Sequence, residues 1–239
     1  MAVALITGGS RGLGLALGRA LATRDRPWQL VIDARGHELN AAAAELSALT
    51  NVVAIQGDVA DETHRVTLVE TARSLGGLDL LVNNASLLGP SPQPRLADYP
   101  LDVLEQVYRV NVLAPLRLCQ LALPLLQHAA GRVLDITSDA AVEPYEGWGG
   151  YGSSKAALEQ LTKILAAEHP QLRVYAVDPG DMNTQMHQEA FPGEDISDRP
   201  LPEASVPALL RLIEGDLPSG RYKVSDLQVG SPEPTGARP

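Results

Sequence analysis

The sequence is poor in several residue types that characterise common classes of protein. Its 239 residues include a single cysteine, Cys119, which excludes an internal disulfide framework and a zinc site built on thiolates. There are 19 basic residues against 29 acidic ones, a net charge of −10, so a basic surface for nucleic acid is not predicted. The sequence also lacks a run of about 20 uninterrupted apolar residues and an amino-terminal signal segment. We therefore expect a cytoplasmic protein that binds neither nucleic acid, nor membrane, nor metal.

Short apolar runs alternate with longer helical patterns along most of the chain. The runs lack two-residue alternation, which is typical of strands in a parallel sheet covered on both faces; they span 3–7, 29–34, 52–56, 78–83, 132–136 and 172–177. Helical patterns cover 12–24, 37–49, 61–75, 101–128, 151–168 and 203–214. This order predicts an α/β fold with a single Rossmann-like, doubly wound parallel sheet and helices on both faces. We expect one domain over 1–228 and a disordered tail over 229–239.

Three features interrupt this alternation. Pro115 and Pro124 fall inside the pattern 101–128, so we expect a kink or break there. A proline-rich loop covers 88–94, and the segment 181–202 is too broken for a long helix. Long loops at the carboxyl ends of strands lie where ligands bind, although a solvated connection is the better interpretation of any single loop.

A glycine-rich turn follows the first strand and opens the first helix. Glycines at such a turn let the backbone approach a pyrophosphate, which the N–H groups and the dipole of the helix start then bind. A plain turn is the alternative, but the position between strand and helix favours a dinucleotide site. The candidate cofactor-binding residues in this turn are Gly8, Ser10, Arg11, Gly12, Leu13 and Gly14.

The end of the second strand carries two opposing signals for the cofactor. An acidic residue such as Asp33 favours NAD, whereas an arginine such as Arg35 accommodates the 2′-phosphate of NADP. Successive strand residues alternate faces, so Asp33 can point away from the ribose while Arg35 and Arg11 converge on a phosphate. An ordinary surface charge is the alternative for Arg35. The sequence thus favours NADP(H) and leaves NAD(H) open.

Tyr151 and Lys155 are four residues apart, which places a phenol and an ammonium group on one helical face. A neighbouring cation favours the phenolate, so the pattern predicts a tyrosine pKa lowered from about 10 toward the range of an acid/base catalyst. Ser138 closes the preceding strand, where its hydroxyl can hold a substrate oxygen. A turn or capping role is the alternative for Ser138.

Taken together, these motifs resemble the short-chain dehydrogenase/reductase family from residue 3 to about residue 226. The family's glycine loop is matched by 7–14, and its tyrosine–lysine pair by Tyr151 and Lys155. The other matching positions are Asp58 and Val59 after the third strand, Asn83, Asn84 and Ala85 at the fourth, the helix asparagine Asn111, Ser138, Pro179 and Gly180 after the sixth strand, and Thr184.

The resemblance implies a role for each matching residue. Tyr151 would exchange the proton of the substrate oxygen and Ser138 would hydrogen-bond that oxygen. Lys155 would bind the nicotinamide ribose and tune Tyr151, and Asn111 would hold a water that links Lys155 to solvent. Besides the glycine loop, Tyr151 and Lys155, the implied cofactor-binding residues are Arg35, Asp58, Val59, Asn83, Ala85, Pro179, Gly180, Met182 and Thr184.

The implied function is NADP(H)-dependent reduction of a ketone or aldehyde, or oxidation of the alcohol, by hydride transfer. An NAD(H)-dependent alcohol dehydrogenase of the same family, or a non-catalytic dinucleotide-binding regulator, is the alternative. Family members often form dimers or tetramers through the helices at 101–128 and 151–168, so we expect a homodimer or homotetramer.

Three features depart from the family pattern. Ser86 replaces a glycine near the mouth of the site. Asp139 adds a carboxylate that, if it faces the pocket, disfavours anionic substrates. The segment 219–226 lacks the family's Val-Asp-Gly-Gly ending, which puts a carboxyl-terminal subunit contact in doubt. Substrate-pocket candidates are Ser86, Leu87, Asp139, Glu143, Tyr145, Trp148, Met182, Met186, His187 and Phe191.

Overall fold

Seven parallel strands form a single sheet in the computed structural model, which describes residues 1–227. The strands are β1 (Val3–Ile6), β2 (Gln29–Ala34), β3 (Val52–Gln56), β4 (Leu80–Asn83), β5 (Arg132–Ile136), β6 (Arg173–Asp178) and β7 (Gly220–Lys223). They lie in the order β3-β2-β1-β4-β5-β6-β7, and each neighbouring pair is parallel. The predicted fold class is confirmed, whereas the tail predicted at 229–239 lies outside the described residues.

Helices connect the strands and cover both faces of the sheet. They are α1 (Gly12–Ala22), α2 (Glu38–Ser47), α3 (Glu62–Ser74), α4 (Leu101–Tyr108), α5 (Ala114–Ala129), α6 (Gly149–Glu168), α7 (Gln185–Ala190) and α8 (Val206–Glu214). Short 3-10 turns lie at Leu96–Asp98, Asp139–Ala141, Pro202–Ser205 and Val224–Leu227. The segment 181–202, predicted to be too broken for a long helix, contains the short helix α7 and, among the described residues, no other α-helix.

Burial on both faces of the sheet explains the continuous apolar runs. On β1, Ala4 and Ile6 belong to the core beneath α1, α2 and α8. Val3 and Leu5 belong to the opposite core, with apolar residues of α3 and α5. Fully burying one such aliphatic side chain contributes about 1.5–3 kcal/mol, so neither face of the central strands can accept polar residues without cost.

The predicted helix over 101–128 is interrupted, but at a different place from the one expected. A π-helical turn, Arg109–Leu113, separates α4 from α5. Pro115 lies in the first turn of α5 and has no N–H to donate to the carbonyl of Asn111 four residues earlier. Helix α5 continues through Pro124, so the break expected at that proline is wrong. The freed carbonyl belongs to Gln120, which is exposed to solvent.

The stretch Leu101–Ala129 has a mean hydropathy of 1.3 in its most apolar window, so length and composition alone would let it cross a membrane. In the fold it is divided between α4, the π-turn and α5. Leu118, Ala122 and Leu126 of α5 are buried against the sheet. Core helices commonly meet the same compositional criterion, so the hydropathy is accounted for by burial in this fold.

The order of the strands determines where the functional site lies. β1 and β4 are neighbours in the sheet although β2 and β3 separate them along the chain. The direction of winding therefore reverses between these two strands. In open parallel sheets such a reversal leaves a crevice outside the carboxyl ends of the strands, where ligands bind.

Candidate active site

A cleft of about 1000 Å³ lies at the carboxyl edge of the sheet. This volume is at the upper end of small-molecule sites in proteins. The structure brings together around it most of the predicted site residues, namely Gly8, Ser10, Arg11, Gly12, Leu13, Arg35, Asp58, Val59, Ala85, Ser138, Tyr151, Lys155, Pro179, Gly180, Met182 and Thr184. Three predicted residues do not line it: Gly14, Asn83 and Asn111.

The glycine loop needs glycine for both conformation and close approach. Gly8 and Gly12 have φ angles of 65° and 54°, in the left-handed region that other residues avoid. Asn84 fixes the loop because its Nδ2 donates to the carbonyls of Thr7 and Gly8 at 2.8 and 3.1 Å. Arg11 is the residue that precedes α1, and among the described residues its side chain does not hydrogen-bond the free N–H groups at the start of that helix. The amino end of α1 is therefore available to an anion.

Two of the residues outside the cleft support it from beneath. A Cβ on Gly14 would lie 2.4 Å from the carbonyl oxygen of Gly8, so this glycine permits close packing of helix and loop. Asn83 is buried, and its Nδ2 donates to Asp135 on β5 at 2.7 Å. The structure therefore places both residues as supports of the cleft, not as part of its surface.

Asp33 does not face the cleft with a free carboxylate. The residue is only 1% exposed. Its Oδ1 accepts the backbone N–H of Gly8 at 2.8 Å, and its Oδ2 lies 2.9 Å from Nε2 of His64. Both oxygens thus hold the glycine loop and α3 together. Sequence reasoning missed this role of His64, because it depends on a contact across 31 positions.

Two arginines border the same end of the cleft as the glycine loop. Arg35 is exposed, and its guanidinium lies 3.9 Å from the carboxylate of Asp58. Arg11 reaches across the cleft to the side chain of Gln185 at the start of α7. Neither guanidinium is buried, so each can reorient toward an anionic group in the cleft.

Tyr151 and Lys155 lie one turn apart on α6, and both are buried. The Lys155 ammonium donates to the carbonyl of Ile136 at 2.8 Å and lies 5.5 Å from the centre of the Tyr151 ring. Burial raises the pKa of Tyr151 to about 12, opposed by a hydrogen bond with Ser86. Burial lowers the pKa of Lys155 to about 8. The predicted lowering of the tyrosine pKa is wrong in this arrangement, because lost hydration outweighs the stabilisation of the phenolate.

Ser138 lies at the carboxyl end of β5, opposite the amino half of α6. Its hydroxyl donates to Asp139 at 3.0 Å and accepts the backbone N–H of Ala140 at 3.2 Å. The second carboxylate oxygen of Asp139 accepts the hydroxyl of Tyr145 at 2.9 Å. Asp139 borders the cleft, which is the condition under which the sequence predicts that it disfavours anionic substrates.

Asn111, in the π-turn, connects α4 and α5 to the loop after β4. Its side-chain amide exchanges two hydrogen bonds with the backbone of Leu87, at 2.8 and 2.9 Å, and donates to Ser154. Ser86 donates to Asn111 Oδ1 at 3.2 Å. The departure from glycine at position 86 therefore adds a hydroxyl that contacts both Asn111 and Tyr151.

Sequence reasoning missed one further residue behind the site, Arg221 on β7. Its guanidinium donates to Glu159 at 2.8 Å, to Asp178 at 3.2 Å and to the carbonyl of Ser138 at 3.3 Å. Arg221 thus joins β7 to α6, β6 and the segment that carries Ser138. Arg221 belongs to the segment 219–226, which differs from the family pattern.

Comparison with known proteins identifies the family. The family model described as short chain dehydrogenase matches residues 2–195. This chain is a short-chain dehydrogenase. It is an oxidoreductase, since the proteins of this family that it resembles are oxidoreductases. The expectation drawn from the ordered motifs is confirmed.

Three relatives illustrate the range of similarity within the short-chain dehydrogenases. The 2-(R)-hydroxypropyl-CoM dehydrogenase of Xanthobacter autotrophicus is 34% identical over 204 residues, 83% of this chain and 82% of that protein. The (S)-benzoin-forming benzil reductase of Saccharomyces cerevisiae is 34% identical over 78% of this chain and 74% of its own. An alcohol dehydrogenase of Thermococcus sibiricus, solved with 5-hydroxy-NADP, is 29% identical, with a TM-score of 0.83 over 93% of this chain and 95% of that one.

Proposed function

We propose that this short-chain dehydrogenase uses NADP(H) to reduce a ketone or aldehyde, or to oxidise the corresponding alcohol. The observation that carries the proposal is that Tyr151, Ser138 and Lys155 line the same cleft as the glycine loop. When bound, the nicotinamide would supply or accept the hydride. The residues of the chain would bind the carbonyl oxygen, orient it and provide its proton.

Tyr151 is the proposed proton donor. Because its pKa is raised to about 12, the phenol stays protonated at neutral pH and can give its proton to the oxygen of a carbonyl group as that oxygen becomes negative. The Ser138 hydroxyl would hydrogen-bond the same oxygen, and Lys155 would bind the ribose beside Tyr151. A protonated tyrosine is the form that carbonyl reduction requires.

The charges around the glycine loop support NADP(H) over NAD(H). An acidic residue selects NAD by accepting the ribose hydroxyls, but both oxygens of the Asp33 carboxylate are already engaged with Gly8 and His64. Arg11 and Arg35 border the cleft with exposed guanidinium groups, which suit a 2′-phosphate. The uncapped start of α1 suits the pyrophosphate. The residues present therefore fit NADP(H).

Titration of the purified protein with NADPH and NADH, followed by nicotinamide fluorescence, tests the cofactor assignment. We expect NADH to bind at least about tenfold more weakly, since one charge-assisted contact to the 2′-phosphate contributes about 1.5–3 kcal/mol. Arg35→Gln should remove most of this preference. Arg73→Gln, which removes an exposed arginine of α3 paired with Glu70 outside the cleft, is the matched control and should not.

Other outcomes of the titration would point elsewhere. A preference for NADH would support the NAD(H)-dependent alcohol dehydrogenase. Binding of NADPH without hydride transfer to any carbonyl compound of a broad panel would support the non-catalytic regulator.

We also propose a homodimer or homotetramer formed through the helices that follow β4 and β5. Leu101 at the start of α4, Leu113 in the π-turn and Ile164 on α6 are exposed apolar residues. Several such side chains on neighbouring helices favour association between copies. Light scattering should give a mass of at least twice 25.4 kDa, and a monomeric mass would contradict this proposal.

A further inference from the structure

Asp139 differs from the other aspartates at the carboxyl edge of the sheet in having no cation beside it. Asp178 is paired with Arg221 at 3.2 Å, and the carboxylate of Asp181 lies 3.9 Å from Arg199. Among residues 1–227, no lysine, arginine or histidine nitrogen lies within 4.0 Å of the Asp139 carboxylate. Its side-chain partners are two hydroxyls, those of Ser138 and Tyr145. Its negative charge is therefore not neutralised locally.

This carboxylate lies where it can act on a substrate. Its Oδ1 is 3.0 Å from the hydroxyl of Ser138, the group proposed to hold the substrate oxygen. A ketone bound there would have its nearer substituents within several ångströms of Asp139. At such distances two like charges near a protein surface repel each other strongly enough to change affinity at least about tenfold.

An aromatic wall, formed by the rings of Trp148 and Tyr151, borders the same cleft as Asp139. The Trp148 ring packs against the rings of Tyr151 and Phe191, with centroids 5.8 Å apart in both pairs, and against Tyr145 at 6.3 Å. Phe191 is the only phenylalanine of the chain, and Trp148 is one of its two tryptophans. In a sequence with 4% aromatic residues, this concentration indicates a surface for a flat, apolar group.

We propose that Asp139 is a specificity-determining residue that makes the enzyme select neutral or cationic aryl ketones and reject aryl ketones that carry an anionic group. This inference rests on the proposed function. Selection against a carboxylate or phosphate follows because such a group would meet an uncompensated negative charge. Selection for an aryl group follows from the wall formed by Trp148 and Tyr151, against which the rings of Tyr145 and Phe191 pack.

Three ketones of the same shape and different charge test the proposal. They are methyl 4-acetylbenzoate, which is neutral, 4-acetylbenzoate, which is anionic, and 4-acetyl-N,N,N-trimethylanilinium, which is cationic. With NADPH, we expect kcat/KM for the neutral and cationic ketones to exceed that for the anionic one by about tenfold or more. Asp139→Asn keeps the size of the side chain and should reduce this ratio to within about threefold.

Asp181→Asn is the matched control. It also removes one negative charge from the border of the cleft, but from an exposed carboxylate with Arg199 nearby, so the ratio should remain at its wild-type value. Equal kcat/KM for the anionic and neutral ketones in the wild-type protein would overturn the proposal. An unchanged ratio in Asp139→Asn would also overturn it.

Binding measurements separate this proposal from the proposed function. Calorimetric titration of the NADP⁺-loaded protein with the three ketones should give the same order of affinity, with no reaction needed. If none of the ketones is reduced but the anionic one binds about tenfold more weakly in the wild type only, the assignment of Asp139 stands and the proposed reaction does not. If the anionic ketone binds as tightly as the ester, the assignment of Asp139 is wrong.

Discussion

Tyr151 and Lys155 have opposite responses to burial, and their chemistry follows from this. Burial raises the pKa of the Tyr151 phenol to about 12, and it lowers the pKa of the Lys155 ammonium to about 8. Desolvation disfavours the charged form of each group. The pair therefore consists of a protonated tyrosine and a charged lysine near neutral pH, the form suited to donating a proton to a carbonyl oxygen.

Lys155 should make the stability of the protein depend on pH. Its pKa is about 8 in the folded chain and 10.5 when unperturbed, so between these values the unfolded state binds more protons and stability rises with pH. From pH 8 to pH 10 we expect Lys155 to contribute a gain of up to about 3 kcal/mol in the free energy of unfolding. Urea unfolding across this range measures it.

Lys155→Met should abolish this gain. Lys163→Met, an exposed position on the same helix, is the control and should retain it. The Tyr151 phenol acts in the opposite sense above pH 10. The Cys119 thiol, whose pKa is raised by burial, acts in the opposite sense within the chosen range, but it is present in all three proteins, so the difference between them reports the lysine. Equal pH dependence in the wild type and in Lys155→Met would show that the lysine is not held in this buried environment.

At the scale of elements, β7 is the strand that the sequence did not reveal. It reads Gly-Arg-Tyr-Lys at the edge of the sheet, without the run of Val, Ile and Leu that makes a doubly covered strand recognisable. Its importance lies in Arg221, whose guanidinium sits between Glu159 and Asp178 and contacts the backbone of Ser138.

Replacement of Arg221 by methionine should destabilise the protein strongly. The change leaves the carboxylates of Glu159 and Asp178 without their cation, and breaking one side of a buried ion pair costs about 3–5 kcal/mol. Guanidinium chloride unfolding measures the loss. Arg173→Met, whose partner Asp216 is 87% exposed, is the control and should cost less than about 1 kcal/mol. Equal losses in the two variants would contradict the role assigned to Arg221.

The elements that could be predicted are those whose signal is local. Six strands carry continuous apolar runs because both of their faces are buried, as at β1. The break in the 101–128 helix was only partly predictable. Proline marks where a backbone donor is missing, but α5 continues through Pro124, and the residue whose carbonyl is left free, Gln120, is exposed. The π-turn before Pro115 contains Asn111, which contacts the loop after β4.

The features of the candidate site also fall into those that a local motif predicts and those that depend on the fold. The glycine loop and the Tyr151–Lys155 pair are motifs of fixed spacing, so their sequence was sufficient to locate them. The engagement of Asp33 by His64, the support from Arg221 and the direction of the Tyr151 pKa depend on contacts between distant segments and on burial. Spacing along the chain contains no information about these, and only the folded arrangement decides them.

At the scale of the whole molecule, different charged groups border the two parts of the cleft. Arg11 and Arg35 border the end with the glycine loop, and Asp139 borders the end with Tyr151 and the aromatic wall. An anionic dinucleotide and a neutral or cationic ketone would thus each meet a complementary surface. The net charge of −10 therefore does not oppose NADP(H) binding at this local site.

Ligand binding at one end of the cleft should stabilise the whole fold. At a concentration 100 times its dissociation constant, a ligand that binds only the folded state adds about 2.7 kcal/mol of stability. For a chain of this size we expect NADPH to raise the midpoint of thermal unfolding by about 5–10 °C. NADH at the same concentration should raise it less. Equal shifts for both would contradict the assignment of the two arginines.

Single-turnover oxidation of NADPH by Tyr151→Phe is the most direct test of the proposed proton donor, with methyl 4-acetylbenzoate or any other ketone that the wild type reduces. The variant keeps the ring beside Trp148 and loses only the hydroxyl. We predict a rate about 10²–10⁴-fold below wild type, with the dissociation constant for NADPH unchanged within about threefold. A variant that oxidises NADPH at nearly the wild-type rate would contradict Tyr151 as the proton donor and the mechanism built on it.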